Sequence, residues 1–168
     1  MKLDDQAIAR LCDIGIFGGL GDDTLYGFAR GLDVDEVDAG TVVFKEGDSG
    51  REMFVILDGE IEVLRRSKRG HETRVAILGP SDWFGEMSIL DVLPRSATTR
   101  ALAPTRLLKV TAHDLDGLYR SNVKAYSLFV LNVAREMSRR LRVADGLLAE
   151  LVTNVMDEYT RRRGAGGG

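Results

Sequence analysis

The sequence predicts a mainly β domain with flanking helices: a jelly-roll-like barrel that carries N-terminal helices and one long C-terminal helix. Three observations predict it. From Thr41 to Val110 the apolar residues fall in short alternating or continuous runs separated by turn residues, which is the spacing of a small antiparallel barrel. Two short helical patterns precede that stretch, and a much longer one follows it.

The elements follow in order. The first helical patterns cover about Asp4 to Cys12 and Asp22 to Leu32, the second placing Leu25, Phe28, Ala29 and Leu32 on one face for packing beside a sheet. Strands are predicted at Thr41 to Lys45, Met53 to Leu57, Glu60 to Arg65, Thr73 to Leu78, Ala97 to Ala103 and Thr105 to Lys109. Asp58-Gly59 reads as a two-residue hairpin turn and Ser67 to His71 as a longer polar loop, with Gly47 and Gly79 as further turn residues. Trp83 and Phe84, at the end of a strand, read as core rather than as a base-stacking pair.

Thr111 is a plausible helix cap, and after a short helix a break at Ser121-Asn122 leads into a helical pattern reaching about Tyr159. Val130, Ala134, Met137, Leu141, Ala144, Leu148, Leu151 and Val155 alternate spacings of four and three, the pattern of a helix-helix seam. At ~1.5 Å per residue such a helix outruns a small barrel, so its distal half predicts a partner, and a homodimer is the preferred reading over a helix lying on its own barrel. Gly146, after Asp145, weakens the helix interior and marks a bend or a base contact. The expected organisation is one domain over residues 1–160, with a helical lead-in over 4–32, the barrel over 40–110 and C-terminal helices over 112–160. Residues 161–168 read as a flexible tail, either a natural end or a severed linker.

The 168 residues, 44% hydrophobic and 29% charged, suffice for one good core. A net charge of −3 gives no global attraction to nucleic acid or to anionic membranes. Cys12 is the only cysteine, which excludes an intrachain disulfide, and no apolar run has the length of a membrane span or the form of a signal peptide. The expected setting is cytoplasmic. His71 and His113 stand alone without cysteine or histidine at ligand spacing, and no GxSxG occurs, so neither a metal site nor an enzyme is predicted. The basic groups at 65–69 and 139–142 read as solvated faces.

The chemistry concentrates in residues 84–101, FGEMSILDVLPRSATTRA. Gly85 permits backbone shapes and close ligand approach that a Cβ hinders, and the first amides of a helix starting there lack intrahelical acceptors and attract an anion. Arg95 adds a planar cationic fork suited to phosphate oxygens. Glu86, ionised at neutral pH, only accepts hydrogen bonds, so beside an anion site it asks for a ligand hydroxyl such as a ribose 2′-OH. The residue types together predict a ribose phosphate.

That stretch resembles the phosphate-binding cassette of cyclic-nucleotide-binding domains, found in catabolite-activator-type regulators, kinase regulatory subunits and cyclic-nucleotide-gated channels. Residues 40–64, GTVVFKEGDSGREMFVILDGEIEVL, resemble that family's strand-turn-strand core, and residues 14–32 its helical lead-in. The resemblance implies a β-roll fold and a sensor rather than an enzyme. It implies that Arg95 binds the cyclic phosphate, that Glu86 accepts the ribose 2′-OH, and that Gly85, Met87, Ser88 and Ala97 offer backbone donors. Ser96 adds a hydroxyl at the phosphate. Ala144 and Asp145 fall where catabolite-activator-type proteins carry a threonine-serine pair on the long helix, a departure that leaves the base open. Asp145 can accept two hydrogen bonds from guanine or one from the adenine amino group. Cyclic AMP is placed first, with cyclic GMP as the alternative. No cofactor is implied, a protein effector is compatible, and direct DNA binding is not expected of the chain as given. The rivals are a scaffold of the same fold that binds no nucleotide, a regulatory fragment of a larger channel, kinase or transcription factor, and a phosphodiesterase, which lacks a visible metal-ligand cluster.

Overall fold

Two antiparallel four-stranded sheets face each other across a core drawn from both. A computed structural model describes the backbone of residues 1–165; the side chains of residue 160 and of residues 162–165 lie outside that description, as do residues 166–168, on which part of the expected tail falls. The chain divides into two units, Met1–Val130 and the segment from Leu131 onward.

In the first unit, α1 (Asp5–Leu11) starts at Asp4, whose Oδ1 accepts from the Ala7 amide at 2.7 Å. A 3-10 turn at Gly15–Phe17 buries Ile16 and Phe17, and α2 (Asp22–Ala29) buries Leu25 and Ala29. Strand β1 (Asp33–Val37) precedes the barrel's expected start at residue 40. Its three acids hide it from a strand pattern, but it pairs antiparallel with β8 (Thr105–Thr111), whose Lys109 and Arg106 lie 3.2 Å from Asp35 and 3.6 Å from Glu36. Cross-strand charge pairing replaces the apolar signal there.

The remaining strands are β2 (Val42–Phe44), β3 (Glu52–Asp58), β4 (Ile61–Arg66), β5 (Glu72–Leu78), β6 (Trp83–Phe84) and β7 (Thr98–Ala101). The sheets run β1-β8-β3-β6 and β2-β7-β4-β5, so β3 and β4 belong to different sheets. Asp58-Gly59 is therefore a crossing between sheets and not the expected hairpin turn. Gly59 has φ 93°, and a Cβ on it would stand 2.3 Å from Thr105 Oγ1 and 2.6 Å from the Pro104 carbonyl, so both conformation and space demand glycine. The 67–71 loop does close a hairpin, β4 on β5, with Ser67 N donating to His71 O at 2.8 Å.

Phe54, Ile56, Phe84 and Leu107 from one sheet meet Ile61 and Ala101 from the other, and Phe44, Phe54 and Phe84 stack with centroids 5.4 to 6.3 Å apart. Each phenylalanine, isoleucine and leucine of this set contributes about 1.5–3 kcal/mol by leaving water. Trp83 and Phe84 are buried, as their strand position predicts.

Thr111 and Asp114 form a reciprocal capping box at the start of α4 (Ala112–Ser121). The long helix α5 spans Val123–Ala165, past the expected end near Tyr159 and into the first residues of the expected tail. Its first turns carry Phe129, which packs against Phe17 and Phe28 at 6.0 and 6.3 Å. In the second unit every side chain described from Leu141 to Tyr159 is exposed, Leu141, Leu148, Leu151 and Val155 included. No described helix is long and apolar enough to cross a membrane.

Candidate functional site

The cassette begins where β6 ends. Gly85 turns the chain with φ 84°, and the single helical turn α3 (Met87–Leu90) follows with Glu86 at its N-cap. One turn carries little macrodipole, so attraction for an anion here rests on the local amides rather than on an extended helix. Val92, a β-branched residue at φ 58°, holds the exposed cassette tip in a strained conformation.

Arg95 is 3% exposed, and this burial is the central feature of the site. Its Nη1 donates to the Glu52 carbonyl at 2.7 Å, to Ser88 Oγ at 2.8 Å and to the Gly85 carbonyl at 3.1 Å. Its Nη2 donates to Glu52 Oε1 at 2.5 Å. The guanidinium lies 4.0 Å from the centroid of the Phe44 ring, a cation-π contact. Among the described residues its Nε–H has no acceptor. A guanidinium has five N–H donors, and the Nε–H is the one whose hydrogen-bonding capacity the described residues leave unused.

Room for this arrangement depends on two glycines. A Cβ on Gly50 would lie 2.3 Å from Arg95 Nε, and one on Gly85 would lie 2.8 Å from Nη1. The backbone of Arg95 is fixed as well, its N–H donating to the Asp48 carbonyl and its carbonyl accepting from Gly47 N, each at 2.8 Å. Arg95 thus reaches its setting from the β2–β3 loop, β3 and α3 together.

Glu86 is 7% exposed and Ala97 8%. Ser88 is buried, and its hydroxyl donates to the Gly85 carbonyl at 3.1 Å while accepting from Arg95. The side chain of Ser88 therefore positions Arg95, a role beyond the backbone donation expected of it. Ser96 is partly exposed, with Oγ 3.5 Å from the Met87 sulfur, a weak acceptor. Met87 is itself exposed. Gly85, Glu86, Met87, Ser88, Arg95, Ser96 and Ala97 thus come together in the first unit. Asp145 lies in the second unit, on an exposed stretch of α5.

Sequence reasoning missed Phe44, Gly50 and Glu52. The available signal for Glu52 was an acid opening an apolar run, EMFVIL, 43 residues before its partner. A second buried carboxylate, Glu62 on β4, receives Arg100 and Arg74 at 2.5 and 2.8 Å. The Arg100 hydrogen bond, with help from Arg74, outweighs burial and holds the Glu62 carboxyl below its ordinary value. A separate cleft of about 530 Å3 between α2 and α4 is lined by Thr24, Phe28, His113 and Asp114, among others, but by no arginine or lysine, so it lacks the cation that a phosphate requires.

A family model described as the cyclic nucleotide-binding domain matches residues 34–122. The chain is 32% identical over 148 residues to a CRP-like cAMP-activated global transcriptional regulator of Mycobacterium tuberculosis, an alignment covering 88% of this chain and 63% of that protein. It therefore spans about three-fifths of that relative's length. The crystal structure of the Thermus thermophilus catabolite activator protein superposes with a TM-score of 0.73 at 32% identity, over 82% of this chain and 62% of that one. A cyclic nucleotide-binding domain from Methylobacillus flagellatus, 22% identical, shares the fold with a TM-score of 0.77 over 82% of this chain and 80% of that one.

Proposed function

Because the chain belongs to the cyclic nucleotide-binding domain family, we propose that it is a sensor of a 3′,5′-cyclic purine nucleotide, cyclic AMP before cyclic GMP, and performs no catalysis. The observation that carries this reading is the buried Arg95 guanidinium, held by Glu52, Gly85 and Ser88 and left, among the described residues, with an unpartnered Nε–H. A cyclic phosphate supplies the missing acceptor and a second charge. Glu86 accepts the ribose 2′-OH, the cassette amides of Gly85, Met87, Ser88 and Ala97 add donors, and Ser96 exchanges a weak sulfur contact for a phosphate oxygen. Cyclic AMP comes first because the Mycobacterium tuberculosis relative is described as cAMP-activated.

The response runs through α5. A ligand shifts a switch only by binding two conformations unequally, and Asp145 is the helix carboxylate proposed to meet the base. The exposed heptad leucines Leu141, Leu148 and Leu151 form the seam of a homodimer. Arg139 and Arg140 both pair with Glu136, which favours a solvated helix face over contact with DNA. A protein effector and a cytoplasmic setting are in keeping with the lone Cys12 and the charge of −3.

Calorimetric titration with each nucleotide tests the sensor reading: binding of at least one is expected, and no binding at millimolar concentration by folded protein rejects it in favour of a scaffold. Asp145→Ala is expected to weaken cyclic GMP selectively. Sedimentation tests the seam: a dimer is expected at tens of micromolar, with Leu148→Asp a folded monomer, and a wild-type monomer rejects the seam.

A further inference from the structure

Among the described residues, the buried hydroxyls of the first unit are hydrogen-bonded with one exception. Thr105 Oγ1 donates to the Ala103 carbonyl at 2.8 Å and accepts from Glu60 N at 3.2 Å, and Ser88 Oγ both donates and accepts within the cassette. Thr98, one residue earlier on β7, accepts from Glu46 N at 3.0 Å. Thr99 is 2% exposed, and its Oγ1 has no partner among the described residues. Burying a hydroxyl without a partner costs stability, so such a group calls for an explanation.

Its place supplies one. The burial of β7 alternates so that Thr99 shares the inward face with Ala101, which packs in the core, and with Ala97 just before the strand. Thr99 pairs with Phe44 on β2 and with Val63 on β4. Phe44 is the ring that carries the Arg95 guanidinium. The unpartnered polar atoms Arg95 Nε and Thr99 Oγ1 thus belong to residues linked through Phe44, whose ring lies under the Arg95 guanidinium and whose backbone is the register partner of Thr99. Two residues along a strand are about 7 Å, less than the length of a nucleoside, so a ligand held by its phosphate at Arg95 and Ala97 reaches Thr99 with its ribose or base.

We propose that Thr99 is a ligand-binding residue whose buried hydroxyl hydrogen-bonds to the bound cyclic nucleotide beyond its phosphate. This rests on the sensor reading. A hydroxyl donates or accepts, so Thr99 can meet either a ribose oxygen or a polar edge of the purine.

The test uses Thr99→Val, which keeps the β-branched shape and removes only the hydroxyl, with Thr99→Ser as the variant that keeps it. Thermal unfolding without ligand and calorimetry with cyclic AMP and cyclic GMP are measured for each. Thr99→Val is expected to melt at the same or a higher temperature than the wild type while binding about tenfold more weakly, and Thr99→Ser to bind within about twofold of wild type. A loss confined to one nucleotide also supports the contact and assigns it to the base. Unchanged affinity for both nucleotides in Thr99→Val overturns the proposal, as does a lower melting temperature without ligand, which would mean that the fold itself satisfies the hydroxyl. Wild-type protein that binds neither nucleotide overturns the sensor reading and this inference with it, whereas wild-type binding matched by Thr99→Val overturns this inference alone.

Discussion

Arg95 and Arg100, five residues apart on the chain, enter two ion clusters of opposite construction. Around Glu62 the anion is buried and its cations reach solvent: the carboxylate is 3% exposed, Arg74 and Arg100 53% and 41%. Around Arg95 the cation is buried and the anion reaches solvent, at 1% against 34% for Glu52. Both oxygens of Glu62 are occupied, one by Arg100 and one by Arg74. Among the described residues the guanidinium of Arg95 keeps an unused Nε–H. A buried charge whose hydrogen-bonding capacity is filled by its own chain serves the fold, and the one left partly unfilled is where the ligand is proposed to bind.

The comparison is broken most severely at Arg95. Arg95→Ala removes charge-assisted hydrogen bonds to a sheltered phosphate and is expected to cost about 3 kcal/mol of binding, over a hundredfold in affinity by calorimetry. Glu62→Gln, equally buried, is expected to leave affinity within about twofold. If Arg95→Ala binds as tightly as wild type, spare hydrogen-bonding capacity does not mark the ligand site.

Glu86 sharpens the comparison, because it is a buried acid inside the cassette whereas Glu62 lies outside it. Against the wild type, a 2′-deoxy cyclic nucleotide is expected to bind about tenfold more weakly, and Glu86→Gln to lose about as much with the ordinary nucleotide. The two losses should not add, since each removes the same hydrogen bond. Additive losses, or equal binding of both ligands by wild type, take the ribose hydroxyl away from Glu86.

Local chemistry made the cassette legible. Gly85, Glu86, Arg95 and Ser96 fall within one short stretch, so their types and spacing carry the reading without the fold. What holds Arg95 was not legible, because Phe44, Gly50 and Glu52 reach it from another part of the chain and nothing beside them names their partner. The same reason hid β1, whose acids make sense only opposite Arg106 and Lys109. It also turned Gly59 into a hairpin residue, since a tight turn and a crossing between sheets ask for the same positive φ. The heptad pattern of α5 was legible as a pattern, and the exposure of Leu141 to Val155 agrees with a seam in want of a partner.

The smallest effect separates the clusters by pH. Arg100 and Arg74 lower the Glu62 carboxyl from its ordinary value of 4.5 in the folded protein. A depressed folded value means that the unfolded chain binds the proton more readily, so the ionised carboxylate contributes its stability in full above about pH 4.5. That contribution is lost as pH falls from the unfolded value through the folded one. Wild type is therefore expected to melt roughly 2–4 °C above Glu62→Gln near neutrality, with the difference shrinking once the carboxyl is protonated. Thermal melts between pH 3 and pH 7 read the two curves directly. If they stay parallel into acid, the Glu62 cluster contributes shape rather than charge, and the assignment of its two arginines to the stability of the fold fails.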